Sequence, residues 1–178
     1  MRASVSDSYC RFVCARVSVR RMIKNVAIRL ARLADAAEIA SMSRDYIERG
    51  LPWTWTDARV AHSILDPETN VVVAGESGSL LGFGIMFYAK DDAHLLLFAV
   101  RREHRRRGVG SAILRWLEEA ADTAGAKRIR VECRRDNAAA RNFYCEHGYQ
   151  ELSITTRFYR GLKDGIHLVK WLRPIAEE

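Results

Sequence analysis

The residues with the clearest capacity for chemistry lie in the run RREHRRRGVGS, Arg101 to Ser111. Five arginines (Arg101, Arg102, Arg105, Arg106, Arg107) lead to two glycines, Gly108 and Gly110, where a helical pattern begins. The first amides of a helix have no acceptor within it and sit at the positive end of its dipole, so together they bind phosphate. Glycines lacking Cβ let those amides come close to a ligand. The run therefore predicts a socket for a phosphate-bearing ligand built from Gly108, Val109, Gly110 and Ser111, with Arg105, Arg106 and Arg107 adding attraction and steering. Two other phosphate loops are excluded. The Gly-Lys-Ser/Thr of a P-loop is absent, and a dinucleotide fingerprint needs a third small residue where Ile113 stands.

A second constellation is NAAARNFYCEHGY, Asn137 to Tyr149. Asn137 and Tyr144 are two helical turns apart and share a face, and Ala140 leaves a groove between them. A narrow amide-bearing chain fits such a groove. The same residues also suit a helix cap and a core aromatic. A third is RIRVECR, in which alternation places Arg128, Arg130, Glu132 and Arg134 on one strand face. Glu132 is there either a general base or an ion-pair residue bound to those arginines or to a cross-strand partner. His62, His94, His104, His147 and His167 are scattered along the chain, and structural or exposed roles are expected for them. Cys10, Cys14, Cys133 and Cys145 form no CxxC pair and no zinc spacing, so free thiols in a reducing cytoplasm and no metal are expected. Cys145 lies about 100° around a helix from Tyr144 and is not expected to carry an acyl group.

The elements that must position these groups follow from patterning. VAIRL is a strand, ADAAEIASMSRDYIERG a helix with capping-box spacing between Asp35 and Glu38, and TDARVAHSIL a short helix begun by Thr56 or Asp57. NVVVAGE, Leu81–Ala89 and His94–Val100 are strands, the last two apolar enough to be covered on both faces. A long helix spans about 108–124, KRIRVECR is a strand, Asn137 opens a helix closed by Gly148, and two strands finish the chain. The order β-α-α-β-β-β-α-β-α-β-β contains one parallel crossover, in its β-α-β middle.

Arg105-Arg106-Arg107-Gly108-Val109-Gly110 matches the Arg/Gln-x-x-Gly-x-Gly/Ala signature of the GNAT acyltransferases, and the Asn137–Tyr149 segment is similar to that family's Asn-x-x-Ala-x-x-Phe/Leu-Tyr-x-x-x-Gly-Phe/Tyr run. The resemblance covers about residues 26–172. It implies an α/β GNAT fold, a mixed central sheet of six to seven strands with about four helices, and parallel strands that splay at the acyl-CoA site. It also implies that the loop wraps the pyrophosphate of acetyl-CoA and that the backbone of Phe98, Ala99 and Val100 binds the pantetheine arm. Asn137 and Tyr144 would complete the coenzyme site, with Tyr144 donating a proton to the leaving thiolate. VECRRDNAAARNFY further resembles RimI-type ribosomal-protein alanine N-acetyltransferases, which implies Glu132 as proton acceptor. TTRFYRG resembles their Arg-x-x-Tyr-Tyr region, whereas GLPWTWT departs from their acceptor loop, so Trp53 and Trp55 either line an acceptor pocket or form a surface staple.

The function implied is direct acetyl transfer from acetyl-CoA to a primary amine, with a protein or peptide N-terminal α-amine as the favoured acceptor. Its alternatives are a small-molecule amine (aminoglycoside, amino acid or polyamine) and a non-catalytic CoA-binding sensor. Of the net charge of +7, +5 lies in residues 1–24, which are expected to be a disordered basic extension or a mis-assigned start, leaving 25–178 as one domain. The excess charge is thus mostly a property of the tail, and no nucleic-acid partner is expected. No apolar run approaches the ~20 residues of a membrane span, so no membrane association is expected. A monomer or homodimer is expected.

Overall fold

The computed structural model describes residues 22–23, 26–76, 78–159 and 161–173. Eight strands form one sheet: β1 Met22–Ile23, β2 Val26–Leu30, β3 Thr69–Glu76, β4 Ser79–Tyr88, β5 Asp92–Val100, β6 Arg128–Arg134, β7 Gln150–Tyr159 and β8 Lys163–Trp171. Their order is β1-β2-β3-β4-β5-β6-β8-β7, and every neighbouring pair is antiparallel except β5 with β6. The four α-helices among the described residues are α1 Ala36–Tyr46, α2 Asp57–Leu65, α3 Val109–Thr123 and α4 Ala138–Glu146. One more strand is present than expected. Met22 and Ile23, placed in the extension by the sequence, pair with Ala27 and Val26 as β1, while residues 1–21 and 24–25 lie outside the described residues.

The helices divide between the two sheet faces. On one, the apolar side of α3 (Ile113, Leu117, Ala120) packs with Ile129, Val131 and Tyr144. On the other, Ile39 and Met42 of α1 and Val60 of α2 pack on Val73, Phe83 and Ile85. Gly82 and Gly84 of β4 set how closely α3 sits. A Cβ at Gly84 would come within 2.7 Å of Leu117 Cδ1, and one at Gly82 within 3.0 Å of Ile113 Cδ1. One expectation is corrected. Asp35 and Glu38 form no capping box for α1: Asp35 accepts from the Arg29 guanidinium and the Arg32 amide, and Glu38 binds Arg101. β5 carries core residues on both faces, as its apolar run suggests: Ala93, Leu95 and Val100 pack in the cluster under α3, Leu97 and Ala99 in the cluster under α1 and α2, and the alternation changes phase at Leu96.

The feature that positions the site is a fork. β5 and β6 pair only over Asp92–Leu95 and Arg128–Val131. Beyond that, β5 stays with β4 as far as Val100, and β6 follows β8, with Glu132 opposite His167 and Arg134 opposite Gly165. The β4–β5 register shifts between Ile85 and Met86, leaving Leu96 as an extra residue on β5. Such a bulge bends and twists its strand, here at the point of divergence.

Candidate active site

Three chain segments meet at the mouth of the fork. α3 begins at Gly108, which has φ 83° and ψ −7°, and no side chain caps it. Arg106 is also left-handed, at φ 59°. The amides of Val109, Gly110 and Ser111 therefore form an uncapped helix start. A Cβ on Gly110 would lie 3.4 Å from the Phe143 ring and 3.5 Å from Val100 Cγ2, so the end of β5 and the side of α4 both press on the first turn of α3. The Phe98 and Phe143 rings stack at 5.4 Å, and Phe98 reaches Tyr144 at 6.3 Å. His147 links the same parts, with Nδ1 2.7 Å from the Phe143 carbonyl and Nε2 3.0 Å from Ser111 Oγ. All the predicted coenzyme segments are thus brought together.

Alternation assigns the β5 backbone. The Arg101 amide donates to the Leu81 carbonyl, so Ala99, two residues back, spends its N–H and C=O on Phe83 of β4. Phe98 and Val100 direct theirs into the fork. Two of the three predicted backbone positions can therefore pair with an extended amide chain. The Val100 carbonyl accepts from Arg105 Nε at 3.0 Å.

The arginines separate into roles. Arg101 fastens β5 to α1 and β4 through Glu38 at 2.7 Å and the Leu80 carbonyl at 2.6 Å. Arg105 lies over the Tyr46 ring at 5.7 Å. Arg106 and Arg107 are exposed beside the helix start. Asn137 caps α4, with Oδ1 accepting from the Ala140 amide at 3.1 Å, which leaves its Nδ2 to donate to a ligand. Tyr144 is buried, and burial raises its pKa far above the ordinary phenol range, with Cys133 and Tyr159 adding to the effect. It is therefore a neutral hydroxyl at working pH. These groups suit a pyrophosphate joined to an extended diamide: unspent amides, a Cβ-free first turn and an open strand edge.

On the opposite face of the sheet Glu132 stands just past the fork. Its partners are histidines, not the arginines of its own strand. Glu132 Oε2 bonds His94 Nε2, Oε1 lies 3.3 Å from His167 Nδ1, and His167 Nε2 lies 2.8 Å from Thr155 Oγ1. Burial pushes the Glu132 carboxyl up, but His94 and then His167 outweigh it and hold it below the usual value. Arg128 and Arg130 pair with Asp92 instead, at 2.6 and 3.5 Å. Arg134 reaches the carbonyls of Ile47 and Arg49 at 2.6 and 2.9 Å. Strand register and helix packing bring His94 and His167 onto Glu132, and His147 between Phe143 and Ser111.

Arg134 holds the α1–α2 loop beside the fork. Glu48 organises that loop by accepting from the Thr54 amide at 2.8 Å and its hydroxyl at 2.6 Å. Trp55 packs into the core under Arg59, whereas Trp53 remains exposed beside Arg44. The two tryptophans therefore have different roles. Cys145 is exposed and Cys133 buried, both as free thiols. Among the described residues, no cluster of His, Cys, Asp or Glu is placed to hold a metal, and no helix is long and apolar enough to cross a membrane.

Residues 36–149 match the Acetyltransferase (GNAT) family. The chain belongs to that family. An uncharacterized N-acetyltransferase of Methanocaldococcus jannaschii is 30% identical over 99 residues, 55% of this chain and 64% of that protein. The ribosomal protein bS18-alanine N-acetyltransferase of Escherichia coli is 31% identical over 84 residues, 47% of this chain and 57% of its own length. The chain thus spans somewhat under two thirds of these two relatives. The structure of YncA from Salmonella typhimurium with its cofactor acetyl-CoA superposes with a TM-score of 0.72 at 18% identity, covering 86% of this chain and 98% of that one. GNAT membership bears out the expected fold and family: a mixed α/β domain of the acetyltransferase class.

Proposed function

We propose that the protein is an N-acetyltransferase that transfers the acetyl group of acetyl-CoA directly to the N-terminal α-amine of a protein or peptide. The observation that carries this reading is the fork itself. It has an uncapped helix start and unspent β5 backbone on the α3 side, and a carboxylate–imidazole group on the open side. The pyrophosphate is held by the amides of Val109, Gly110 and Ser111, with Arg106 and Arg107 around it. The arm runs along Phe98 and Val100 towards Asn137 Nδ2. When bound, the coenzyme supplies an activated acetyl group. Tyr144 donates a hydrogen bond to the departing sulfur. Its raised pKa makes full proton transfer uphill, so stabilisation through the hydrogen bond is its role. Glu132 is the centre of the group that removes the amine proton.

An α-amine fits this site better than a lysine. Its ordinary pKa near ~8, against ~10.4, leaves more of it neutral at pH 7, so a modest base suffices. The E. coli relative is named for acetylating an alanine of a ribosomal protein, which supports the same acceptor class. The free thiols of Cys133 and Cys145 suit a cytoplasmic setting. The test is thiol release from acetyl-CoA in the presence of N-terminal peptides, lysine side-chain analogues, polyamines and aminoglycosides. Peptides with a free α-amine are expected to accelerate release, and the same peptides blocked at the N-terminus are not. Acceleration by the small amines alone would transfer the reading to a small-molecule acceptor. Coenzyme binding with no acceleration by any amine would make the domain a sensor.

A further inference from the structure

The three-residue network on the open face has a polarity that Glu132 alone does not explain. Its carboxylate is ionised, so both histidine nitrogens that touch it must donate: Nε2 of His94 and Nδ1 of His167. The second nitrogen of each ring is then the basic one. For His167 that nitrogen is Nε2, which accepts from the Thr155 hydroxyl at 2.8 Å. For His94 it is Nδ1, which has no hydrogen-bond partner among the described residues. His94 sits one residue before β5–β6 pairing ends at Leu95 and Val131, and Glu132 sits one residue after, so the two straddle the fork. Both oxygens of Glu132 already accept from imidazoles, and those bonds favour its ionised form and make it a weaker base than a free carboxylate.

We infer that His94 Nδ1 takes the proton from the acceptor amine, with Glu132 fixing its tautomer and balancing the imidazolium charge, and His167 holding Glu132 from the other side. This rests on the acetyl-transfer reading above. In the step, the nitrogen–carbon bond forms as the carbon–sulfur bond breaks. The amine proton moves to His94 and then to solvent, and the departing thiolate takes its proton from solvent while hydrogen-bonded to Tyr144. Glu132 and His167 are positioning residues. Other ionisable groups around the network do not replace it. Asp92 feels His94 but is neutralised by Arg128 and Arg130, Arg134 is committed to the 47–49 carbonyls, and burial holds Tyr159, beside Glu132, neutral.

The test is His94→Gln. A glutamine amide can still donate to Glu132 but cannot accept a proton, so a structural role survives and a basic one does not. The expected result is a fall in kcat/KM of about 10²-fold or more, the range for losing a positioned base. The acid limb of the pH–rate profile should flatten or move. Coenzyme affinity and melting temperature should stay near wild type, and added imidazole should restore part of the activity of His94→Ala. His167→Gln should cost less and keep the limb. A His94→Gln enzyme within about threefold of wild type, with the same limb, overturns the inference and leaves the transfer reading standing. Wild-type protein that binds coenzyme but releases no thiol with any amine overturns both.

Discussion

Gly108→Val is expected to lower affinity for coenzyme A by about 10²-fold or more while costing the fold little. Gly108 is at φ 83°, where an L-residue pays about 1–2 kcal/mol and a β-branched one sits worst. For a chain of this size that loss shifts the melting temperature by only about 2–8 °C. Binding is hit harder because the same residue aims the amides of Val109, Gly110 and Ser111. Charge-assisted hydrogen bonds contribute about 1.5–3 kcal/mol each, and misdirecting two of them exceeds the ~2.7 kcal/mol that corresponds to a hundredfold. Titration calorimetry and a melting curve on the same protein separate the two effects. An unchanged dissociation constant in a folded Gly108→Val protein would remove the loop from the coenzyme site.

Glu132→Gln is the second large effect, and its signature is the reverse. The side chain keeps its shape and one imidazole contact, but the negative charge between His94 and His167 is gone. That charge holds both rings in the tautomer that exposes a basic nitrogen and offsets the imidazolium formed in the reaction. A fall in kcat/KM of about 10²–10⁴-fold is expected, with coenzyme affinity within about twofold, since no group proposed to hold the coenzyme touches Glu132. Steady-state thiol release and calorimetry on the same preparation measure both. Full turnover in Glu132→Gln would return the residue to the ion-pair role that its arginine-rich strand suggests.

Much of this site is legible along the chain because it depends on local geometry. Gly108 and Gly110 announce a helix start whose amides are open, and the α3 periodicity through Ile113 and Leu117 gives the face that packs on the sheet. The alternation of RIRVECR correctly separates Glu132 from the buried Ile129, Val131 and Cys133. What alternation cannot supply is register. Which residue faces Glu132 across β8 depends on how the β7–β8 hairpin closes, and His94 reaches it only because parallel pairing stops at Leu95. The anchoring contacts of two arginines are hidden for a related reason. Arg101 and Arg105 belong to a basic run in sequence, yet contacts with Glu38 and the Val100 carbonyl, distant or out of line in the chain, claim both. The apolar look of β5 conceals a change of face at Leu96, which leaves Ala93, Leu95 and Val100 in the core under α3 and Leu97 and Ala99 in the core under α1 and α2.

The central claim is that the first turn of α3 grips the diphosphate of coenzyme A. Its most direct test is calorimetric titration of the unmodified protein with coenzyme A and, separately, with pantetheine, which has the same arm and thiol but no diphosphate. The structure predicts saturable binding of coenzyme A and an affinity for pantetheine weaker by at least about 10²-fold, the contribution of two or more charge-assisted hydrogen bonds. Equal affinity for the two ligands, or no heat with either, would contradict it.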